Sequence, residues 1–353
     1  MFSFMPYNLN YSFNFGIVLV VSSIFLIISG ILSVIFYNNN LDFSFLNLIL
    51  HSFNSFNYFF LRVFHNTFAN LFFFFIFLHI FRSWFFSSYN VLFTLLSGIA
   101  IFFLSCGIAF FGYCLPMGQM SYWAAVVIFS LLSVIPFGFL IILYLFGSFS
   151  ISTRTLSLLF FFHFIFPFVL LVLILIHFYY LHLNLSSQTS LNDYLDLVTF
   201  FPYFFILDLF VIFYFFLLVV FIVFFFSFYF FESANWSSFE TMVTPLHIYP
   251  DWFLLFPYAC LRSVDSKGFG VLLLLIVLMS LFFPSSLLSS LKLSNFFKFF
   301  QVIVLNFFIF FTFIGGNPSV VPYSLLIIYS QYLLYLFFIL YIFMVLLIFC
   351  FRF

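Results

Sequence analysis

Four of the seven histidines form two pairs of identical spacing, His65 with His79 and His163 with His177, fourteen residues apart in each case. On a helix, fourteen residues advance about 21 Å and leave a residual rotation of only about 40°, so each pair lines one helix face near its two ends. Two such helices side by side supply two levels, each with two imidazoles. Neutral imidazoles facing one another across a flat metal complex are the axial ligands of a six-coordinate, electron-transferring haem. A single buried histidine ordinarily just hydrogen-bonds a neighbour. The same interval repeated in two apolar segments points instead to two stacked redox centres forming a conducting path through a low-dielectric layer.

Glycines carry the same period. Gly16 and Gly30 are fourteen apart, as are Gly98 and Gly112. A side chain reduced to hydrogen lets a flat macrocycle approach the backbone, although small residues also help membrane helices pack. Arg62 lies three residues before His65, and Arg82 three after His79. A guanidinium within an apolar span is costly unless it finds an anion or reaches the headgroups. The propionates of a haem, pointing outward, are suitable partners.

These residues must be positioned by membrane helices. Of 353 residues, 8 are Lys or Arg, 8 are Asp or Glu, 67% are hydrophobic and 75 are Phe. So few charges cannot cover a water-facing surface, which excludes a soluble enzyme and a disordered chain. Zero formal net charge without a basic patch excludes a nucleic-acid binder. A bilayer core of about 30 Å needs roughly 20 apolar residues as helix. Eight runs qualify, and all must be helical to satisfy their backbone groups: 15–37, 58–86, 91–116, 156–183, 204–231, 268–290, 297–315 and 323–350, spans A to H.

The stretch from Ala124 to Gly147 is also apolar but is broken by Ile135-Pro136-Phe137-Gly138, where proline removes a donor and clashes with the preceding turn. Two short helices lying on the membrane face are expected there. Spans B and D then run parallel, pairing His65 with His163 and His79 with His177, with Gly30 and Gly112 at the first level and Gly16 and Gly98 at the second. A ninth crossing would instead pair His65 with His177. The four cysteines, Cys106, Cys114, Cys260 and Cys350, show no CxxC pairing and read as packing residues. No Arg-rich leader precedes span A, and none is expected. The basic residues are too few and too scattered to orient the chain. The bias toward Phe, Tyr, Ile, Leu and Asn suggests AT-rich coding of the organellar kind.

Across nearly its whole length the chain resembles cytochrome b of the mitochondrial and bacterial respiratory bc1 complexes. The resemblance rests on Arg62-Val-Phe-His65 through His79-Ile-Phe-Arg82, Gly112-Tyr-Cys-Leu-Pro-Met-Gly-Gln-Met-Ser-Tyr-Trp123, Ser-Val-Ile-Pro136 and His163-Phe-Ile-Phe-Pro167. It continues in Pro250-Asp-Trp-Phe253, Tyr258-Ala-Cys-Leu-Arg-Ser263 and Ile314-Gly-Gly-Asn-Pro318. It implies an all-α membrane protein of eight transmembrane helices. Residues 1–200 would hold a four-helix dihaem bundle (spans A–D), with a surface helical hairpin between C and D. Residues 201–353 would hold spans E–H and the quinol-oxidation loop.

The resemblance also implies two b-type haems, the low-potential one on His65 and His163 near the positive side, the high-potential one on His79 and His177 near the negative side. Quinol would be oxidised beside the end of span C, the hairpin and the 250–253 loop. There Asp251 stands where the family has glutamate, as the proton acceptor, and Tyr258 lines the same site. Quinone would be reduced near the other haem, with His182, Ser186 and Asp208 as its polar ligands. The family's usual lysine before this acid is Leu207 here, and an arginine common five residues before the third ligand is Leu158, leaving Arg154 as a substitute. The implied activity is that of an electrogenic quinol–cytochrome c reductase subunit running a Q cycle with ubiquinone and ubiquinol. Its implied partners are a Rieske iron–sulfur protein, cytochrome c1, lipid and a second copy of the complex, in the mitochondrial inner membrane ahead of a bacterial plasma membrane. The competing classes are a proton-relay transporter or channel using buried histidines, which would need polar residues lining a path, and a dihaem anchor of a dehydrogenase, which would lack the 250–253 loop and spans F to H.

Where the family has Gly-Ala after the Ser-x-Trp of the hairpin, this chain has Ala124-Ala125. By the resemblance, the extra methyl would face the pocket in which methoxyacrylate-type inhibitors pack against bare backbone, and overpacking a tight contact costs about 1–3 kcal/mol. Inhibitor titration of the purified complex is expected to show tolerance with quinol turnover retained. Sensitivity equal to that of a glycine-bearing relative would refute it.

Overall fold

Backbone groups in a span this apolar have no water to bond, so the chain satisfies them within helices. The structure, a computed structural model, describes residues 4–7, 9, 11–85, 92–184, 197–282 and 295–350. In order, the helices are α1 (Phe15–Val34), α2 (Ser44–Asn54), α3 (Phe56–Phe85), α4 (Leu92–Cys114), α5 (Gln119–Leu132), α6 (Gly138–Phe146) and α7 (Thr153–Asn184). They continue with α8 (Phe205–Phe225), α9 (Leu255–Arg262), α10 (Lys267–Ser280), α11 (Asn295–Gly315) and α12 (Tyr323–Cys350). A two-stranded antiparallel ribbon pairs Phe4–Pro6 with Leu197–Thr199.

Among the described residues, five helical segments are long and apolar enough to cross a membrane: Tyr11–Val34, Phe56–Phe85, Leu92–Cys114, Thr153–Leu183 and Phe200–Phe225. They correspond to spans A to E. The expected span F covers α10 and then runs into residues outside the described set. α11 and α12 lie in spans G and H. Serines within the spans return their hydroxyls to their own helix, as Ser22 does to the Val18 carbonyl at 2.7 Å and Ser105 to Ile101 at 2.7 Å, which removes the cost of a bare polar group.

Two units emerge from packing: Met1–Val126 with Ile142–Thr244, and Val127–Ile141 with Pro245–Phe353. In the first, α1 packs on α3 and α4 on α7, and α8 joins α1 and α3. Val18, Val63, Phe68, Leu71, Phe215, Val219 and Val223 form their buried seam, with Phe25 stacked on Phe68 at 5.4 Å. By packing, this unit reaches past residue 200, because the apolar face of α8 is complementary to α1 and α3. In the second unit α9 is surrounded by α10, α11 and α12, and Phe256 meets Phe308 and Phe311.

Three local features differ from the sequence expectation or add to it. α8 ends at Phe225 rather than near residue 231. The chain turns at Phe226–Phe231, where the Asn66 amide donates to the Phe230 carbonyl at 3.0 Å. α2 is an addition to the expected spans: it is short, and Leu46, Leu50 and Phe53 on it are exposed. The segment 124–147 is two helices of 14 and 9 residues, about 21 and 14 Å long and too short to cross a bilayer. Phe137 between them sits at φ +61°, and a Cβ on Gly138 would lie 1.8 Å from the Leu132 carbonyl oxygen.

Candidate metal centres

α3 and α7 bring the four histidines together in the parallel arrangement. His65 faces His163 with ring centroids 6.3 Å apart, and His79 faces His177 at 6.4 Å. His65 does not pair with His177. Pro167, four residues after His163 within α7, lacks the N–H that would bond the His163 carbonyl, which loosens the helix turn there.

Behind each imidazole stands one glycine. A Cβ on Gly30 would lie 3.4 Å from His65 Cε1, and one on Gly98 3.4 Å from His177 Cε1. The same atom on Gly16 would be 3.9 Å from His79 Cε1, and on Gly112 only 2.4 Å from His163 Cε1. α1 therefore backs the two α3 histidines and α4 the two α7 histidines, one glycine to each ring.

The outer nitrogens are held from behind. Ser29 Oγ lies 2.8 Å from His65 Nδ1, Ser97 Oγ 3.0 Å from His177 Nδ1, and the Ile108 carbonyl 2.8 Å from His163 Nδ1. His79 Nδ1 is buried with no partner among the described residues. Sequence reasoning missed Ser29 and Ser97, although each immediately precedes one of the four spaced glycines; the Ser-Gly dipeptide was the available signal.

A metal held by the protein alone needs four or more donors. Among the described residues no third His, Cys, Asp or Glu joins either pair to complete such a cage. Two imidazoles on opposite sides of one metal, with bonds of about 2 Å and a ring radius of about 1 Å, place their centroids roughly 6 Å apart. The observed separations match. The remaining donors must then come from a flat group carrying its own, and the residues present fit a haem at each level.

Arg62 Nη1 donates to Ser52 Oγ of α2 at 2.6 Å, with its guanidinium 5.7 Å from the Phe231 ring and 5.8 Å from Trp236. Arg82 lies over Phe13 at 4.5 Å, and its Nε is buried with no partner among the described residues, an opening for an anionic edge group. The adjoining Asn14 amide donates to Asp208 Oδ1. The 3-10 turn Tyr11–Asn14 thus gathers Arg82 and Asp208 at the His79/His177 end. Asp208 bonds Asn14 and not His182, which is exposed on α7 and stacks on Phe178. Ser186 lies outside the described residues.

In the second unit the Asp251 carbonyl accepts from Leu254 N at 2.9 Å, opening the 3-10 turn Trp252–Leu254, while its carboxylate does not cap that turn. The Tyr258 hydroxyl donates to the Ile248 carbonyl at 2.7 Å. Arg262 lies over the Tyr258 ring at 5.2 Å and donates to the Asn317 carbonyl at 3.0 Å. Burial raises the Tyr258 phenol above its ordinary value, against a smaller opposing effect of Arg262.

Comparison with known proteins agrees with this geometry. Residues 2–185 match the family described as cytochrome b/b6/petB, and residues 238–348 the one described as cytochrome b (C-terminal)/b6/petD. Curated relatives called cytochrome b include those of Myxine glutinosa, 33% identical over 91% of this chain and 85% of that protein, and Dictyostelium discoideum, 35% identical over 91% and 84%. A solved structure titled hyperthermophilic respiratory Complex III superposes with a TM-score of 0.86 at 26% identity, covering 95% of this chain and 91% of that one. Fold and paired imidazoles define a multi-pass helical membrane protein of the haem-binding, electron-transferring class. The chain belongs to the cytochrome b family.

The graded glycine distances set an order. Gly112→Ala must displace His163 and is expected to cost about 1–3 kcal/mol of packing, weakening haem retention at that level most. Gly30→Ala and Gly98→Ala should follow, and Gly16→Ala should be nearly silent. Haem content by pyridine haemochrome, with redox titration of each centre, checks the ranking; Gly16→Ala as the most damaging change would contradict it.

Proposed function

We infer that the chain is the haem- and quinone-binding subunit of a quinol–cytochrome c oxidoreductase. The observation that carries this reading is the pair of facing imidazoles repeated at two levels, each ring backed by its own glycine. The likeness to a respiratory Complex III structure over 95% of the chain supports it. In this reading eight spans cross the membrane, the α5–α6 hairpin lies on its surface, and the membrane is the mitochondrial inner one.

Bound haem supplies reversible one-electron chemistry at both levels, linking quinol oxidation at one face to quinone reduction at the other. His65 with His163 and His79 with His177 would each hold one haem, the first pair the low-potential one. Gly16, Gly30, Gly98 and Gly112 give the rings and the macrocycle clearance. Arg62 and Arg82 offset the negative charge of its edge. Ubiquinol releases protons as it is oxidised, and Asp251, half-buried with its carboxylate not used by the turn, accepts one. Tyr258 orients the same site through a hydroxyl anchored on Ile248. At the reduction site Asp208, His182 and Ser186 hold the ubiquinone carbonyls and deliver protons, with Asn14 fixing the Asp208 carboxylate. A Rieske iron–sulfur protein and cytochrome c1 accept the outgoing electron, and the complex assembles as a dimer.

A reduced-minus-oxidised visible spectrum of the purified chain, with potentiometric titration, tests this. Two b-type centres titrating at separate potentials are expected; no haem, or a single step, sinks the reading.

Asp251→Asn should lower quinol oxidation roughly 10²- to 10⁴-fold with haem content unchanged, since it removes general base catalysis. The pH profile separates it from Tyr258. The Tyr258 phenol is raised above its ordinary 10.0, so the folded chain keeps that proton where an unfolded one loses it, and stability falls only as pH rises above that value. Any alkaline limb of the rate profile below pH about 10 therefore survives Tyr258→Phe. Its disappearance in that variant would contradict the assignment.

A further inference from the structure

The two serines behind the histidines are more than space fillers. A hydroxyl has one proton and two lone pairs. Ser29 commits its proton to its own helix, 2.7 Å from the Phe25 carbonyl, with Leu26 at 3.1 Å. Ser97 does the same toward Phe93 and Thr94, both at 2.9 Å. Each oxygen is then left to accept, so the proton in each Ser–His bond sits on Nδ1. Both His65 and His177 are thereby fixed in the tautomer that leaves Nε2 bare. His163 reaches the same tautomer through a backbone carbonyl, which can only accept.

The distribution is uneven. One hydroxyl serves each level, on the α3 ligand at one and on the α7 ligand at the other. The two remaining glycines are preceded by Phe15 and Phe111, which have nothing to offer. His79 Nδ1 is left buried without a partner among the described residues.

We propose that Ser29 and Ser97 are positioning residues, each fixing the orientation and electron-donating strength of one imidazole and so the potential of one centre alone. A donated Nδ1–H makes the imidazole a stronger ligand and favours the more highly charged, oxidised metal. Loss of the hydroxyl weakens that donation. Levels about 21 Å apart along the helices leave little direct effect of either serine on the other centre.

The proposal rests on the dihaem reading, so its test uses the intact complex and titrates each b centre separately. Ser29→Ala is expected to raise the potential of the His65/His163 centre only, and Ser97→Ala that of the His79/His177 centre only. Each should also shift the low-spin electron paramagnetic resonance signal of the affected centre. Ser→Thr at either position, which keeps the hydroxyl, is expected to hold the native potential. Should an alanine variant not assemble, Ser→Cys keeps the volume with a weaker acceptor and carries the same expectation at smaller amplitude. Two fully occupied centres whose potentials do not move, or move together, would overturn the proposal while leaving the dihaem reading intact. Absence of two centres from the unmodified complex would remove the reading itself.

Discussion

The separation of two imidazole rings governs the architecture of the first unit. Rings 6.3 and 6.4 Å apart can share a metal only if α3 and α7 stand at one distance along the whole interval between the levels. Leucine or phenylalanine side chains on α1 and α4 would force the rings inward, so glycine occurs where each ring leans outward. Gly112 shows how tight this is: a single methyl group there would lie within 2.4 Å of His163. Packing in a protein interior is dense enough that such a collision moves the ring rather than being absorbed. Fourteen-residue spacing in all four helices is therefore one constraint stated four times.

Much of this was legible because period and chemistry coincide. An interval of fourteen fixes a helix face, and histidine recurs at it in two spans and glycine in two others, so the pairs, their backing glycines and the parallel sense of α3 and α7 follow once the 124–147 segment is read as two short helices. The break at Pro136 was visible because proline there is incompatible with a continuous helix. What escaped the sequence depends on contacts between distant segments. Asn14 and Asp208 are 194 positions apart, and nothing in the apolar run around either marks a bond. Serine in a membrane helix is also ambiguous, since it satisfies itself on its own backbone; only the ring behind it distinguishes Ser29 from Ser22. α2 lay hidden because its eleven residues are too few to qualify as a span.

The two levels differ in how their charges are answered. Arg62 already has Ser52 as an acceptor and two aromatic faces for its plane, so any anion at that level shares it. Arg82 has the Phe13 ring and, among the described residues, no partner for its Nε. In a medium of low dielectric an unanswered guanidinium dipole is strongly unfavourable, and it favours whatever negative group is placed beside it. The same end gathers Asp208 through the turn that also contacts Arg82: Phe13 lies beneath the guanidinium, and the adjoining Asn14 amide holds the carboxylate.

Arg154 shows why position along the chain does not guarantee a role. It precedes Leu158 by one helical turn and is the nearest basic residue to the place where an arginine is common in the family. Yet its side chain runs along Gly147, where an added Cβ would meet Arg154 Nε at 2.7 Å, and that glycine adopts φ +74°, a conformation suited to having no side chain. The residue is exposed and lies against the loop before α7 rather than in the bundle. A bare backbone at Gly147 thus leaves room for the Arg154 side chain. With Arg154 lying against Gly147, Arg62, three residues before His65, is the cation nearest in sequence to the first level's ligands.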